Sequence, residues 1–312
     1  MAHGDVTSAP PAAALEPGPR APARVFAVRA QSPTGLVWRR FRRHRLALFG
    51  FVVIAILTVM AIFAPVVGGY NPDRGNFLQI DQPPSRAHLL GTDGNGRDTW
   101  TRMVYGARVS LSVGVVAVSI SVVLATILGA VSGYYGGWID LAIQRFTEIV
   151  MTFPTLMIII TLVALLGPSI YNVMAAIGLL GWTGLSRLVR GQVLQLKIVA
   201  FVEAARCTGV RDRRIIFLHI LPNVLPYIIV SATFGVAGAI LTEASLSFLG
   251  LGVQAPTATW GNLLQEAQTL DTMLHMPWRW IAPGAAIAIT VLSINFIGDG
   301  LRDALDPRMQ IK

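Results

Sequence analysis

Gly91 to Asp98, GTDGNGRD, spaces Gly91 and Gly96 as a phosphate-binding loop does. Such a loop ends on a lysine that reaches the phosphates and a Ser or Thr that holds magnesium. Arg97 and Asp98 stand at those places, so nucleotide chemistry is not supported. Gly250, Gly252 and Ala255 match a dinucleotide fingerprint in letters, yet they follow an apolar run and precede Pro256 instead of opening a helix after a strand. The histidines, His3, His44, His88, His219 and His275, are scattered, with no Cys or carboxylate at ligand spacing. The single cysteine, Cys207, excludes an internal disulfide and a thiolate-rich metal site. No acid, base and nucleophile can be assembled from this inventory, so the sequence predicts no enzyme, no cofactor and no metal centre.

Two residues inside apolar runs invite a functional reading. Glu243 interrupts one run, and an ionisable group there is costly and usually functional; the plainer alternative is an acid that snorkels to the interface or caps a helix. Pro154, close to Glu148, frees a backbone carbonyl in another, which suits a bend lining a pathway or a packing kink. Both are candidate pathway or gate residues.

The most informative stretch is EAARCTGVRDRRIIFLHILPN, Glu203 to Asn223. Phe201 to Thr208 suits a short helix rich in good helix formers, and Gly209 sits where a left-handed residue would end it. Asp212 is expected to cap a second helix that carries Ile215, Ile216 and Leu218 back towards the membrane, with Pro222 and Pro226 marking re-entry. Two short helices with close-packing alanines and one acid make a compact docking knob. The residue types fit equally a basic, solvated connector between two spans.

The elements that hold these residues are membrane spans. Of the 312 residues, 54% are hydrophobic and 13% charged, and mean hydropathy is +0.60, beyond the need of a soluble core. The net charge of +9 flanks apolar runs and does not interleave with exposed aromatics, so nucleic acid is not the expected partner. Residues 1–33, rich in Pro, Ala and Gly, are expected to be a disordered tail. The first long apolar run, from near Leu46, lacks a cleavage site and is expected to be a retained span. A span takes about 20 apolar residues to cross about 30 Å of hydrocarbon. Leu46 to Val67 and Val109 to Gly133 supply two. The 38 uncharged residues between Glu148 and Arg187 supply two more, broken near Gly167 and Pro168. A fifth runs from about Ile220 towards Gly250, and a sixth lies between Arg279 and Asp299.

The predicted fold is therefore an all-α membrane protein of six transmembrane helices. Residues 34–108 form the first helix and a long external loop, about Gly68 to Ala107, and residues 109–312 form a five-helix core with the segment 198–222 inserted. Nineteen of the 25 Lys and Arg, including Arg39, Arg40, Arg42, Arg43 and Arg45, fall on the side holding both termini and the 190–219 loop. That side is expected to be cytoplasmic.

The stretch from Glu203 to Pro222 resembles the signature of ATP-binding-cassette importer permeases, through Glu203, Ala204, Ala205, Gly209, Leu221 and Pro222. His219 stands at a usual Ile position, and the HILPN ending is similar to that of the dipeptide, oligopeptide and nickel permease group. LLGTDGNGRDTWTRMVYGAR from Leu89, GYYGGWIDLAIQRFTEIVMTFP from Gly133, TEASLSFLGLGVQ from Thr242 and LRDALDPRM from Leu301 resemble the C-type member of that group, in order. The resemblance implies a type I importer core in the bacterial inner membrane, with those six residues coupling to the ATPase through a cytoplasmic helix. It implies as partners a second homologous permease subunit, two ATP-binding cassette subunits and an external solute-binding protein or lipoprotein. The expected ligands are short peptides; nickel complexes, haem and glutathione-like compounds are the alternatives within the group. An ATP-independent transporter or channel is the alternative outside it, and would be expected to carry charge relays near the bilayer midplane that these spans lack.

Overall fold

The computed structural model describes residues 33–305, which are helical apart from connecting loops. The expected tail lies outside the described residues except Pro33, which already opens a helix. That helix, α1 (Pro33–Phe41), is anchored by Phe41 packing with Ala47 and Ala304. His44 caps α2 (Arg45–Ile62), its ring accepting the Ala47 N–H, and α3 (Ala64–Val67) closes the first span.

The second span is longer than its apolar run. α4 spans Thr99–Tyr135, ten residues earlier than Val109, because the Asp98 side chain accepts the Thr101 N–H and caps the helix within the polar segment. The connecting loop is correspondingly shorter than Gly68 to Ala107. At 1.5 Å per residue α4 is about 55 Å long, enough to emerge from both sides of a bilayer. It ends at Gly136 and Gly137, both with positive φ (67° and 56°).

α5 (Gly137–Thr152) and α6 (Thr155–Leu166) meet at an 82° bend, where Pro154 has no N–H to continue the ladder. The third span is thus a bent pair, with the bend at the proline that the sequence offers for one. The break at Gly167 and Pro168 falls where the sequence places it, and α7 (Ile170–Leu180) with α8 (Trp182–Leu196) forms one further span. After α9 (Ala200–Cys207), α10 (Asp212–Arg214) runs through a π-helical turn, Ile215–Ile220, into α11 (Leu221–Phe248). The π turn precedes Pro222: without that N–H the ladder skips, and the Leu221 N–H donates five residues back to the Ile216 carbonyl. α12 (Trp260–Glu266), α13 (Leu270–His275) and α14 (Trp278–Leu305) complete the described chain. Among the described residues, five helices are long and apolar enough to cross a membrane, or six with the bent pair.

α4 is the central strut, touching α2, α5, α7, α8, α11 and α12. Its closest approach is to α8. A Cβ at Gly129 would lie 2.6 Å from the Ser186 carbonyl oxygen, and one at Gly133 would lie 2.9 Å from that of Arg190. Backbone atoms cannot retreat as a side chain can. Gly129→Leu is expected to push α4 off α8 at a cost of at least the 1–3 kcal/mol, roughly, of ordinary overpacking. The check is a lowered melting temperature in detergent, with Gly184→Leu, where a Cβ meets nothing within 4 Å, as the silent control.

Candidate functional site

The segment from 198 to 222 folds as a two-helix knob seated on an apolar floor. Val202, Ile215 and Ile220 are fully buried and pack with Tyr134, Val189 and Val193, with Ala205, Val210 and Leu221 at the edge of the cluster. The opposite side is open: Glu203, Ala204, Gly209 and Pro222 are exposed, while Ala205 and Leu221 are half-buried. Of the six residues singled out in the sequence, four face outward and two, Ala205 and Leu221, lie at the edge of the apolar floor.

Gly209 ends α9 with φ +75°. Its N–H donates to the Arg206 carbonyl at 3.0 Å, and the Val210 N–H donates to the Ala205 carbonyl at 3.1 Å. This is a Schellman closure, with Val210 and Ala205 as its apolar contact. Glu203 lies in the first turn of α9, where its charge complements the helix dipole. One expectation is corrected. Asp212 caps nothing with its side chain; it is the first residue of α10 and accepts a hydrogen bond from the Tyr134 hydroxyl at 2.6 Å. Of the three apolar residues that follow, Ile215 and Ile216 are buried in the floor, while Leu218 is 61% exposed on the outer side of the π turn.

Glu243 does not snorkel out to solvent. It is fully buried, accepting hydrogen bonds from the Ser110 hydroxyl at 3.1 Å and the Ser247 hydroxyl at 2.8 Å. Ser110 in turn accepts the Trp260 N–H at 3.4 Å, so the carboxyl joins α4, α11 and the start of α12. Pro154 forms the 82° bend, and the next residue, Thr155, lines a cavity of about 240 Å³ between α4, α6, α7, α8 and α11. Ser121, Ser231 and Thr242 also line it, among small and apolar neighbours and no charged residue. Glu243 and Pro154 are not brought together: the cavity wall includes Thr242 but not Glu243.

At the other end of α4 lies a polar assembly that sequence reasoning found only in part. Asp93 accepts the N–H groups of Asn95 and Arg97 on Oδ1 and the Arg97 Nε–H on Oδ2 at 2.7 Å. The loop that imitates a phosphate cradle is therefore filled by its own carboxylate. Arg97 and the fully buried Arg102 both donate to Glu266, at 3.1 and 2.9 Å. Arg279 pairs with Asp81 at 2.7 Å, and His88 with Asp98 at 2.8 Å. Glu266 and Arg279 are too distant in sequence for spacing to indicate the pairs. The available signal was Arg102 itself, a charge on the apolar approach to a span. Among the described residues no three His, Cys, Asp or Glu side chains converge as metal ligands.

A bundle of five to six apolar spans around an uncharged cavity, with a stiff knob protruding where two spans join, defines a multi-pass membrane permease. The chain belongs to the family of binding-protein-dependent transport system inner membrane components, whose model matches residues 125–311. Residues 32–84 match the N-terminal transmembrane domain of oligopeptide transport permease C. The chain is 43% identical over 296 residues to the dipeptide transport system permease protein DppC of Alkalihalophilus pseudofirmus, covering 95% of this chain and 97% of that one. It is 41% identical over 271 residues to the oligopeptide transport system permease protein OppC of Bacillus subtilis, covering 87% and 88%. OppC of Haemophilus influenzae is 43% identical over 272 residues, covering 86% and 87%. Membership sets aside the ATP-independent transporter or channel, and places the chain in the inner membrane as a transport component and not a catalytic subunit.

Proposed function

We propose that this chain is the permease subunit that forms half of the translocation pathway of an ATP-driven importer of short peptides. The observation that carries the coupling role is the knob: a rigid pair of helices with Glu203, Ala204 and Gly209 exposed, built on the floor from which α11 enters the membrane. A partner groove closing on such a knob moves the spans below it. The partners are a second homologous permease subunit, two ATP-binding cassette subunits docked on the two knobs, and an external solute-binding protein or lipoprotein. Both chain ends and the knob are assigned to the cytoplasmic side by the excess of Lys and Arg there, and the loop held by Asp93, Arg97 and Glu266 to the outer side. The cavity beside Thr155 is this subunit's share of the pathway, with the Pro154 bend as its movable wall and Glu243 as a fixed clasp behind it.

Small, uncharged walls suit ligands whose side chains vary, and the similar proteins named above are dipeptide and oligopeptide permeases. In vesicles reconstituted with the whole complex and its binding protein, ATP is expected to drive uptake of labelled dipeptides to pentapeptides. Excess nickel chelate, haem or glutathione should not compete. Uptake indifferent to ATP, or competition by one of those compounds in place of peptide, would overturn the assignment.

A further inference from the structure

The last turn of α4 holds three different elements through three consecutive residues. The Ser132 hydroxyl donates to Asp140 of α5, whose carboxylate takes a two-pronged contact from Arg190 of α8, Nε and Nη2 each at 2.6 Å. Gln144 of α5 also donates to the Ser132 oxygen at 3.1 Å. The Gly133 carbonyl accepts from Lys197, just after α8, at 3.1 Å. The Tyr134 hydroxyl donates to Asp212 of α10 at 2.6 Å, and the Arg206 guanidinium of α9 lies over the Tyr134 ring, 5.6 Å from its centre. Beyond these residues the chain turns through Gly136 and Gly137 into α5, which ends at the 82° bend beside the cavity.

Both helices of the knob therefore grip one tyrosine, and the adjoining residues of that turn grip the helix leading to the bend. A charge-assisted, bidentate contact of the Arg190–Asp140 kind resists shear as well as separation. The two positive-φ glycines let the chain reverse tightly from α4 into α5, which brings Asp140 back onto Ser132.

We propose that Tyr134, through Asp212, and Asp140, through Arg190, are positioning residues that carry displacement of the knob to the bent α5–α6 pair. This rests on the coupling role proposed above and extends it to the residues that connect knob and pathway wall. The turn is a relay, and it touches neither ATP nor ligand.

The test uses the reconstituted complex and the native thiol of Cys207, exposed on α9. In the unaltered complex, binding of the ATPase subunits should protect Cys207 from a maleimide, and failure of that control would sink the coupling role itself and not the relay. Tyr134→Phe should keep full Cys207 protection and continue to hydrolyse ATP. Its ligand moved per ATP should drop about tenfold, the factor that one hydrogen bond to a charged acceptor corresponds to. Asp212→Ala, which removes the acceptor, should act alike, and the double variant should add little, as two halves of one contact do. Asp140→Asn should also lower the ratio with protection intact. Wild-type ratios in Tyr134→Phe and Asp140→Asn would overturn the relay. So would loss of Cys207 protection in step with transport, which would make the tyrosine a prop for the knob alone.

Discussion

Gly209→Val is expected to give a protein that inserts at normal levels and joins the complex, yet no longer links ATP hydrolysis to uptake. The reason is local. At φ +75° any β-carbon is strained, and a branched one more so, by about 1–3 kcal/mol. Nothing else lies within 4 Å of the added Cβ, so no neighbour is displaced and the bundle stays intact. What yields is the Schellman closure between α9 and α10, and the exposed face carrying Glu203 and Ala204 then meets its partner at the wrong angle. Gly209→Asn, which tolerates the left-handed region, should retain much of the coupling, whereas a volume effect would not spare it. Glu203→Lys should uncouple by another route. Within this chain the reversal costs the dipole term, about 0.3–1 kcal/mol at an exposed first-turn position, and a weak, solvent-screened attraction to Arg206 three residues on. At a closed interface it would bury an unpaired ammonium, a far larger penalty. Ligand-stimulated ATPase activity, uptake and capture of the ATPase subunits are the measurements. Wild-type transport by both variants would leave the knob an ordinary connector.

The second large effect concerns stability. Glu266→Ala is expected to lower the melting temperature of the purified protein by several degrees, because Arg97 and Arg102 would be left sharing Asp93. The side chain of Arg102 has no exposed surface, and its Nε and Nη1 already lack hydrogen-bond partners. Losing one partner of a buried ion network costs about 3–5 kcal/mol, much of it the uncompensated charge that remains. Glu266→Gln, which keeps an acceptor but not the charge, should fall between. Replacing Arg97 in the Glu266→Ala background should recover part of the loss, since one carboxylate then faces one guanidinium. Equal stability of all four proteins would mean that solvent, reaching Glu266 at 24% side-chain exposure, screens the network.

The spans, the knob and its terminating glycine were legible from residue order because each rests on local physics. A charge-free run long enough to cross hydrocarbon must satisfy its own backbone, and a helix is the only local way to do so. Gly209 after a run of helix formers specifies a left-handed stop whatever surrounds it. Pro154 marked a bend for the same reason, a missing N–H.

Other features had no local signature. α4 begins at Thr99, ahead of the apolar run, because hydropathy registers the bilayer while Asp98 supplies the cap. The 82° angle at Pro154 is set by what α5 and α6 pack against; proline permits a bend but does not choose its size. Glu243 stayed open between a pathway residue and an interfacial acid: Ser247, one turn on, was within reach of helical spacing, but Ser110 on α4 was not. Asp212 read as a cap for a like reason: its partner, Tyr134, lies 78 residues earlier. Sequence order determined which segments cross the membrane and where the knob turns, since apolar length, missing N–H groups and positive φ act within a few residues. Only the tertiary structure decided which charges are buried together and what the last turn of α4 holds, since those energies depend on distance in space between groups far apart in the chain.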